Sequence, residues 1–287
     1  MDTGQNMVPE QQGNKATMRW EELTGDQFPT AVERSQGVCL IALSVLERHG
    51  HHLPVGTDMF IGRELLTRVA ELEPAILFPD YIFTQIPEAR HCVGTISIDP
   101  ELMLRLLDNV CQEIARNGLK KIVLVNCHGG NNSFLPFFTE WQLSRPRDYV
   151  VYLVQPNSVG FRTAGVPWAP ETDGHAGPGE TSEILAARPD LVDMQQVPTI
   201  DEGKALKRLQ ALSEAGVRTG MWWYADYPTH YSGNAGPATA EAGDLILDKM
   251  AQYVARAVRA IKVDTETPRL QNEFYAASQA PSVPQIP

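Results

Sequence analysis

Apolar residues fall along this chain in two alternating rhythms. Short unbroken runs at Val38–Leu46, Ala75–Pro79, Lys121–Cys127 and Tyr149–Gln155 have the length and the Val, Ile and Leu content of buried strands. Between them lie stretches with apolar residues at helical spacing. Met59–Glu71 is amphipathic. Asp99-Pro100 starts a helix, with Asp as N-cap and Pro in the first turn, and Asn117-Gly118 stops it. Further helices are expected from about Asn131, over Glu180–Ala187 ahead of Pro189, over Glu202–Ala215 and over Thr239–Ile261. The last carries one apolar stripe through Ala242, Leu245, Ile246, Met250, Tyr253 and Val254. Strand and helix alternating at this interval predicts βαβ units, hence an α/β fold with a mainly parallel sheet covered on both faces. Residues 1–17 read as a loose arm and 264–287, polar and proline-rich, as an extended tail. Nothing within 18–263 is rich enough in linker residues to divide that domain.

The polar clusters sit where strands end, and in open α/β sheets ligands bind just outside the carboxyl ends of strands. After the first run come Glu47, His49 and, past a Pro/Gly turn, Asp58. Glu47 and His49 are two apart, so both can point into one site from an extended segment. The third run ends at His128-Gly-Gly-Asn-Asn132, and a third cluster reads Asp173-Gly-His175-Ala-Gly-Pro-Gly-Glu180. Five of the seven histidines lie in these three segments, a concentration that surface scatter does not produce. Carboxylates and imidazoles converging on strand ends outline a divalent metal site.

Composition narrows the class. The 287 residues suffice for a full core, and 43% hydrophobic with 21% charged residues is ordinary for a globular protein. A net charge of -11 argues against a nucleic-acid or anionic-membrane surface. Cys39, Cys92, Cys111 and Cys127 show no CxxC spacing and read as reduced thiols. The opening residues lack the basic start and apolar core of a signal peptide, and no stretch approaches the roughly 18 apolar residues of a span. A cytoplasmic protein is therefore expected.

The segments Leu46-Glu-Arg-His-Gly-His-His-Leu-Pro with Thr57-Asp58, Val125-Asn-Cys-His-Gly-Gly-Asn131, and Gly174-His-Ala-Gly with Glu180-Thr-Ser182 resemble, jointly and in this order, the creatininase (creatinine amidohydrolase) family. The likeness runs from about Arg19 to Ile261 and includes Gly94-Thr-Ile-Ser97 and Gly236-Pro-Ala-Thr-Ala240. It implies a three-layer αβα sandwich, a dinuclear centre of zinc, manganese or iron, and a homo-oligomer, commonly a hexamer. Carried over by position, it implies that Glu47 and His128 bind one ion, that His49 binds the other, and that Asp58 bridges. Glu180 is the candidate second-site ligand and His175 the histidine that contacts substrate and moves protons. In creatininase proper a glutamate stands two residues after the metal-binding histidine; Gly130 takes that place here.

Paired ions polarise a carbonyl and lower the pKa of bound water to roughly 7. An imidazole is suited to protonate the leaving group, and amides at Gly129-Gly130 can approach developing negative charge. The expected function is thus metal-dependent hydrolysis of a small cyclic amide, formamide or related carbonyl compound. Alternatives are C–C cleavage of a cyclic polyol diketone, or a binding oligomer without turnover. Thr172 and Glu171 stand three and four residues before His175 where creatininase proper has a tryptophan, and Trp168 is the nearest candidate to close over substrate. Creatinine is accordingly not the expected substrate. His51 and His52 read as packing groups, and His91 and His230 as solvated loop residues. The aromatic run Trp222–Tyr231 reads as core or subunit interface rather than substrate wall, and Cys127 as an inert thiol.

Overall fold

The structure, a computed structural model, describes residues 17–158 and 164–283. All but the last residue of the expected N-terminal arm therefore lies outside the described residues, as does the end of the tail. Four parallel strands make one sheet in the order β2-β1-β3-β4: β1 is Val38–Leu43, β2 Ile76–Leu77, β3 Lys121–Asn126 and β4 Val150–Val154. Each lies inside its apolar run, and β1 and β3, in the middle, are buried along almost their whole length, as strands covered on both faces must be.

Alternate residues feed two cores. Val38, Leu40, Ala42, Val123, Val125 and Val154 pack against α2 (Thr57–Leu72), α5 (Pro178–Ala187) and α8 (Ala240–Val263). Cys39, Ile41, Leu43, Ile122 and Leu124 pack against α1 (Phe28–Ser35), α3 (Pro100–Arg116) and α4 (Asn131–Trp141). The result is the expected three-layer αβα sandwich. Asp99 caps α3 by accepting from the amides of Glu101 and Leu102, and Thr239 caps α8 through Ala242 N.

Two expectations are corrected. Helix over Glu202–Ala215 shrinks to α6, Gln210–Glu214. The backbone upstream is held by tertiary partners instead: Gly233 N donates to Gly203 O at 3.1 Å, and Lys207, with φ of 55°, donates its amide to Asp226 Oδ1. A Cβ on Gly203 would lie 1.9 Å from Gly233 O, so that contact excludes helical packing of side chains there. The tail is not extended: Glu266–Gln279 forms α9, after the short α7, Trp222–Asp226. Asp264 Oδ1 accepts from the amides of Glu266 and Thr267, and Arg269 pairs with Glu266 and Glu273. Buried Tyr275 donates to Gln142 O, and Gln271 to Tyr149 O, so the helix is anchored just after α4 and just before β4. Local capping and a few anchors outweigh the polar composition.

Helices α5 and α8 touch backbone to backbone at Gly243. A Cβ on Gly243 would lie 1.9 Å from Ser182 O. That oxygen is backbone and cannot swing away, so Gly243→Ala must push α8 off α5. It is expected to destabilise the fold by about 3 kcal/mol, the upper end for overpacking. Urea unfolding of the two proteins measures this; equal midpoints would contradict the packing.

Candidate metal centre

The sheet brings the three polar clusters to one end. Past β1 the chain turns back on itself, with Glu47 N donating to Val55 O and Gly50 at φ of 63°. The turn buries Glu47 and His49 and delivers the chain to α2, whose first turn carries Asp58. Past β3, Asn126 Oδ1 accepts from His128 N. Buried Asn131 donates to Leu43 O at the end of β1 and accepts from Gln85 N, clasping three loops together.

Glu47, His49, Asp58, His128, His175 and Glu180, the polar residues named from sequence, all meet here. His128 Nδ1 lies 2.9 Å from Glu47 Oε1 and 3.0 Å from Asp58 Oδ2. His49 Nε2 lies 3.2 Å from Asp58 Oδ1 and 3.7 Å from Glu180 Oε2. Glu47, Asp58 and His128 present ligand atoms all within 4.8 Å of one another, and so do His49, His175 and Glu180. Glu47 Oε1, Asp58 Oδ2, His49 Nε2 and His128 Nε2 are buried and aligned with no hydrogen-bond partner among the described residues. Buried polar atoms are normally satisfied. Close approach without hydrogen-bond alignment is the arrangement of atoms that share a cation.

Electrostatics gives the same answer. Burial alone would raise the Glu47 carboxyl, but the imidazoles of His175, His128 and His230 hold it well below the usual range. Burial alone would lower His49, yet the Asp58 and Glu180 carboxylates lift it to about 9. His128 is likewise raised against burial, by Glu47 and Asp58. The acids demand positive charge, and in its absence the imidazoles take up protons. Ligand imidazoles must surrender those protons to a metal.

His230, expected in solvent, is 1% exposed and makes part of this centre. Its Nε2 donates to Glu47 Oε2 at 2.5 Å, while its Nδ1 accepts from Trp223 Nε1 at 2.8 Å. Indole N–H is only a donor, so it fixes the tautomer and keeps Nε2 protonated. His230 also presents a ligand atom near Glu47 and His175, but that tautomer makes it a donor to a ligand rather than a ligand. Burial, aided by His175, also holds the ring neutral, with its pKa lowered to about 4. The positive φ of 58° at His230 shows that the loop bends to place it.

His52 donates to Thr181 Oγ1 on α5 and so packs the turn against that helix, as expected, whereas exposed His91 donates to Pro228 O and lies edge-on to the rings of Tyr224 and His230 without reaching Glu47. Burial pushes the Cys127 thiol up, and the four cysteines are free. A chamber of about 280 Å³ opens beside the centre, lined by Glu47, His128, Gly129, Gly130, His175 and Glu180 together with Glu88, Trp222, Trp223 and His230. Trp168 is elsewhere: it is buried in the core under α8. The aromatic wall comes from the Trp222–Tyr231 run, read from sequence as core or interface. Glu88 had no sequence signal at all.

Second-layer partners of metal ligands typically cost about 10–100-fold in affinity when removed. His230→Ala should weaken divalent-ion binding by that factor and His91→Ala should not, as read by competition with a chromogenic chelator. Equal affinity in His230→Ala and wild type would remove His230 from the centre.

The family model described as "Creatinine amidohydrolase" matches residues 21–258. A creatinine amidohydrolase of Pseudomonas putida is 27% identical over 83% of this chain and 95% of its own length. A mycofactocin precursor peptide peptidase of Mycobacterium ulcerans (strain Agy99) is 30% identical over 74% of this chain and 80% of its own. A manganese form of creatininase superposes with a TM-score of 0.66 at 24% identity, over 86% of this chain and all of that one (100%). Sheet, motif order and matched length agree, and the chain belongs to the creatininase family, whose members are metal-dependent amidohydrolases.

Proposed function

We propose that this protein hydrolyses a C–N bond in an amide, formamide or related carbonyl compound at a centre of two divalent ions. The observation that carries the reading is Asp58, whose two oxygens face His128 and His49 separately. Glu47, Asp58 and His128 would hold one ion, and His49, Asp58 and Glu180 the other. Zinc, manganese and iron all suit this mixed nitrogen and oxygen set. Such ions, when bound, polarise a carbonyl and lower the pKa of water.

The chain's own groups supply the rest. His175 donates its Nε2 hydrogen to Arg48 O at 2.8 Å, which leaves Nδ1 as the nitrogen that can take a proton and pass it to the leaving amine. The Ala176 amide, donating to Glu180 Oε2 at 2.7 Å, orients that carboxylate. Gly129 and Gly130 let backbone approach the substrate, and Trp222 and Trp223 wall the chamber against water.

Peptide hydrolysis is a second reading within the same chemistry. An outer groove of about 1350 Å³ shares Glu88, Gly129, Gly130 and Trp222 with the chamber, room for a substrate longer than a single ring. The similarity to a peptide peptidase supports it. Thr172 and Glu171 do not line the chamber, and Trp222 and Trp223 give it aromatic surface, so a missing tryptophan before His175 no longer speaks against a flat substrate. A panel of formamides, lactams, creatinine and short peptides, assayed with manganese or zinc, decides among these. No turnover of any C–N compound would leave the binding oligomer or C–C cleavage.

Elemental analysis should find close to two divalent ions per chain, and Asp58→Ala should lose both whereas His49→Ala mainly lowers one. No bound metal after reconstitution would refute the centre. Binding must also depend on pH in a definite sense. His49 holds its proton up to about 9 in the metal-free centre. Apparent affinity should therefore rise with pH toward that value, by roughly tenfold per unit for each proton displaced. Affinity flat between pH 6 and 9 would contradict it.

Assembly into a homo-oligomer, commonly a hexamer by resemblance, fits the exposed Phe137, Met221, Trp222 and Tyr224 around the outer groove. Light scattering should show a multimer; a monomer at all concentrations would count against it.

A further inference from the structure

Glu88 has no role in the centre described above, yet the structure takes trouble to place it. It rides on a single 3-10 turn, Pro87–Ala89. Ile86 and Ala89 are buried with Val45 in a small apolar cluster separate from the two large cores. Val45 lies two residues before Glu47, so this cluster ties the Glu88 turn to the loop that carries a ligand. Asn131, which also holds the end of β1, accepts from Gln85 N, and Gln85 Nε2 donates to Glu88 Oε2 at 2.6 Å. Backbone and side chain are both fixed.

Gly130 shows where the other oxygen goes. A Cβ at that position would lie 2.7 Å from Glu88 Oε1, 2.4 Å from His128 Nε2 and 2.6 Å from Gln85 Oε1. Three polar ends occupy the volume that any larger residue would need. Glu88 also lines both the chamber and the outer groove, so it stands at the threshold between them. Oε2 is committed to Gln85, whereas Oε1 points at the space beside the histidine ring. A carboxylate oxygen held there is an acceptor for whatever part of a substrate enters next to the reacting carbonyl.

We propose that Glu88 is a substrate-recognition residue, its Oε1 accepting a hydrogen bond from an N–H beside the carbonyl that reacts. The preferred substrates are then amides or formamides bearing that N–H, and N-alkylated analogues are disfavoured. This rests on the metal-centre reading above. A hydrogen bond to a charged acceptor in a partly dry site corresponds to roughly tenfold to a hundredfold in binding. A site that makes such a bond rejects a ligand lacking the donor, because the acceptor is left unpaired.

Acetohydroxamic acid and N-methylacetohydroxamic acid are matched probes. Both chelate a divalent ion through the same pair of oxygens, and only the first carries an N–H. Calorimetric titration of the manganese-loaded protein gives both dissociation constants for wild type, Glu88→Ala and Glu88→Gln. Wild type should favour the N–H probe by about tenfold or more relative to Glu88→Ala. Glu88→Gln, whose amide oxygen still accepts, should keep part of the preference, with manganese content unchanged in both variants. The same preference ratio in wild type and Glu88→Ala overturns the assignment of Glu88 alone. Failure of wild type to hold manganese or to bind either probe overturns the metal centre and this inference with it.

Discussion

The structure depends on one electrostatic constraint. Glu47 and Asp58 are buried almost completely and within reach of one another, and Asp58 shares His49 with Glu180, at the end of a sheet where water is scarce. Buried acids this close cannot all be ionised without positive charge among them. Everything around them answers that need. His49 and His128 are raised far enough to carry protons when nothing else supplies the charge. His230 is the exception: Trp223 keeps its tautomer fixed and burial keeps it neutral, so it orients Glu47 without competing for a cation.

Placing charge there requires a rigid frame. The parallel sheet sends β1 and β3 to the same end, and Asn131 links their loops by one side chain. Glu180 comes from α5, which is gripped on both sides: Gly243 lets α8 touch its backbone, and His52 Nε2 bonds Thr181 from the Glu47 loop. Glu180 and Asp58 start their helices, where the helix dipole favours a carboxylate. The destabilisation expected on crowding Gly243 would thus reach the centre, because α5 cannot shift without moving Glu180.

The frame was legible in the sequence because it obeys periodicity. Four apolar runs gave four strands, and the stripe from Ala242 to Val254 gave α8. The polar ligands were legible because strand ends and helix starts confine them to short segments. Two misread stretches failed for opposite reasons. Residues 202–209 have helical composition, but pairing of Gly203 with Gly233, 30 residues on, overrides it. The stretch 266–279 looked too polar to order, yet ion pairs along one face and the anchor of Tyr275 suffice. His230 and Glu88 were missed because their meaning is tertiary. Nothing adjacent to either marks it, and each matters only once a loop from elsewhere has been folded against Glu47 or Gly130. Trp168 stands nearest before His175 in sequence, but the chamber's tryptophans, Trp222 and Trp223, arrive from residues downstream.

These two kinds of residue divide the labour. The residues proposed to hold ions sit at the ends of regular elements, where half an ångström matters and the sheet fixes them. Glu88, Trp222 and Trp223, which line the chamber beside them, sit on short turns joined to the frame by a few side chains. Such turns can be re-aimed without disturbing the sheet, so the chemistry and the choice of substrate are separable. Gly130 is where the two meet. It follows His128 of the candidate centre yet carries no side chain, and the volume thereby released is filled in part from another loop, by Gln85 and Glu88. On the assignment proposed for Glu88, a glycine there does not empty the site of function; it transfers control of that volume from the strand end to the Glu88 turn. The substrate of this protein is therefore to be sought through the loop that fills the gap.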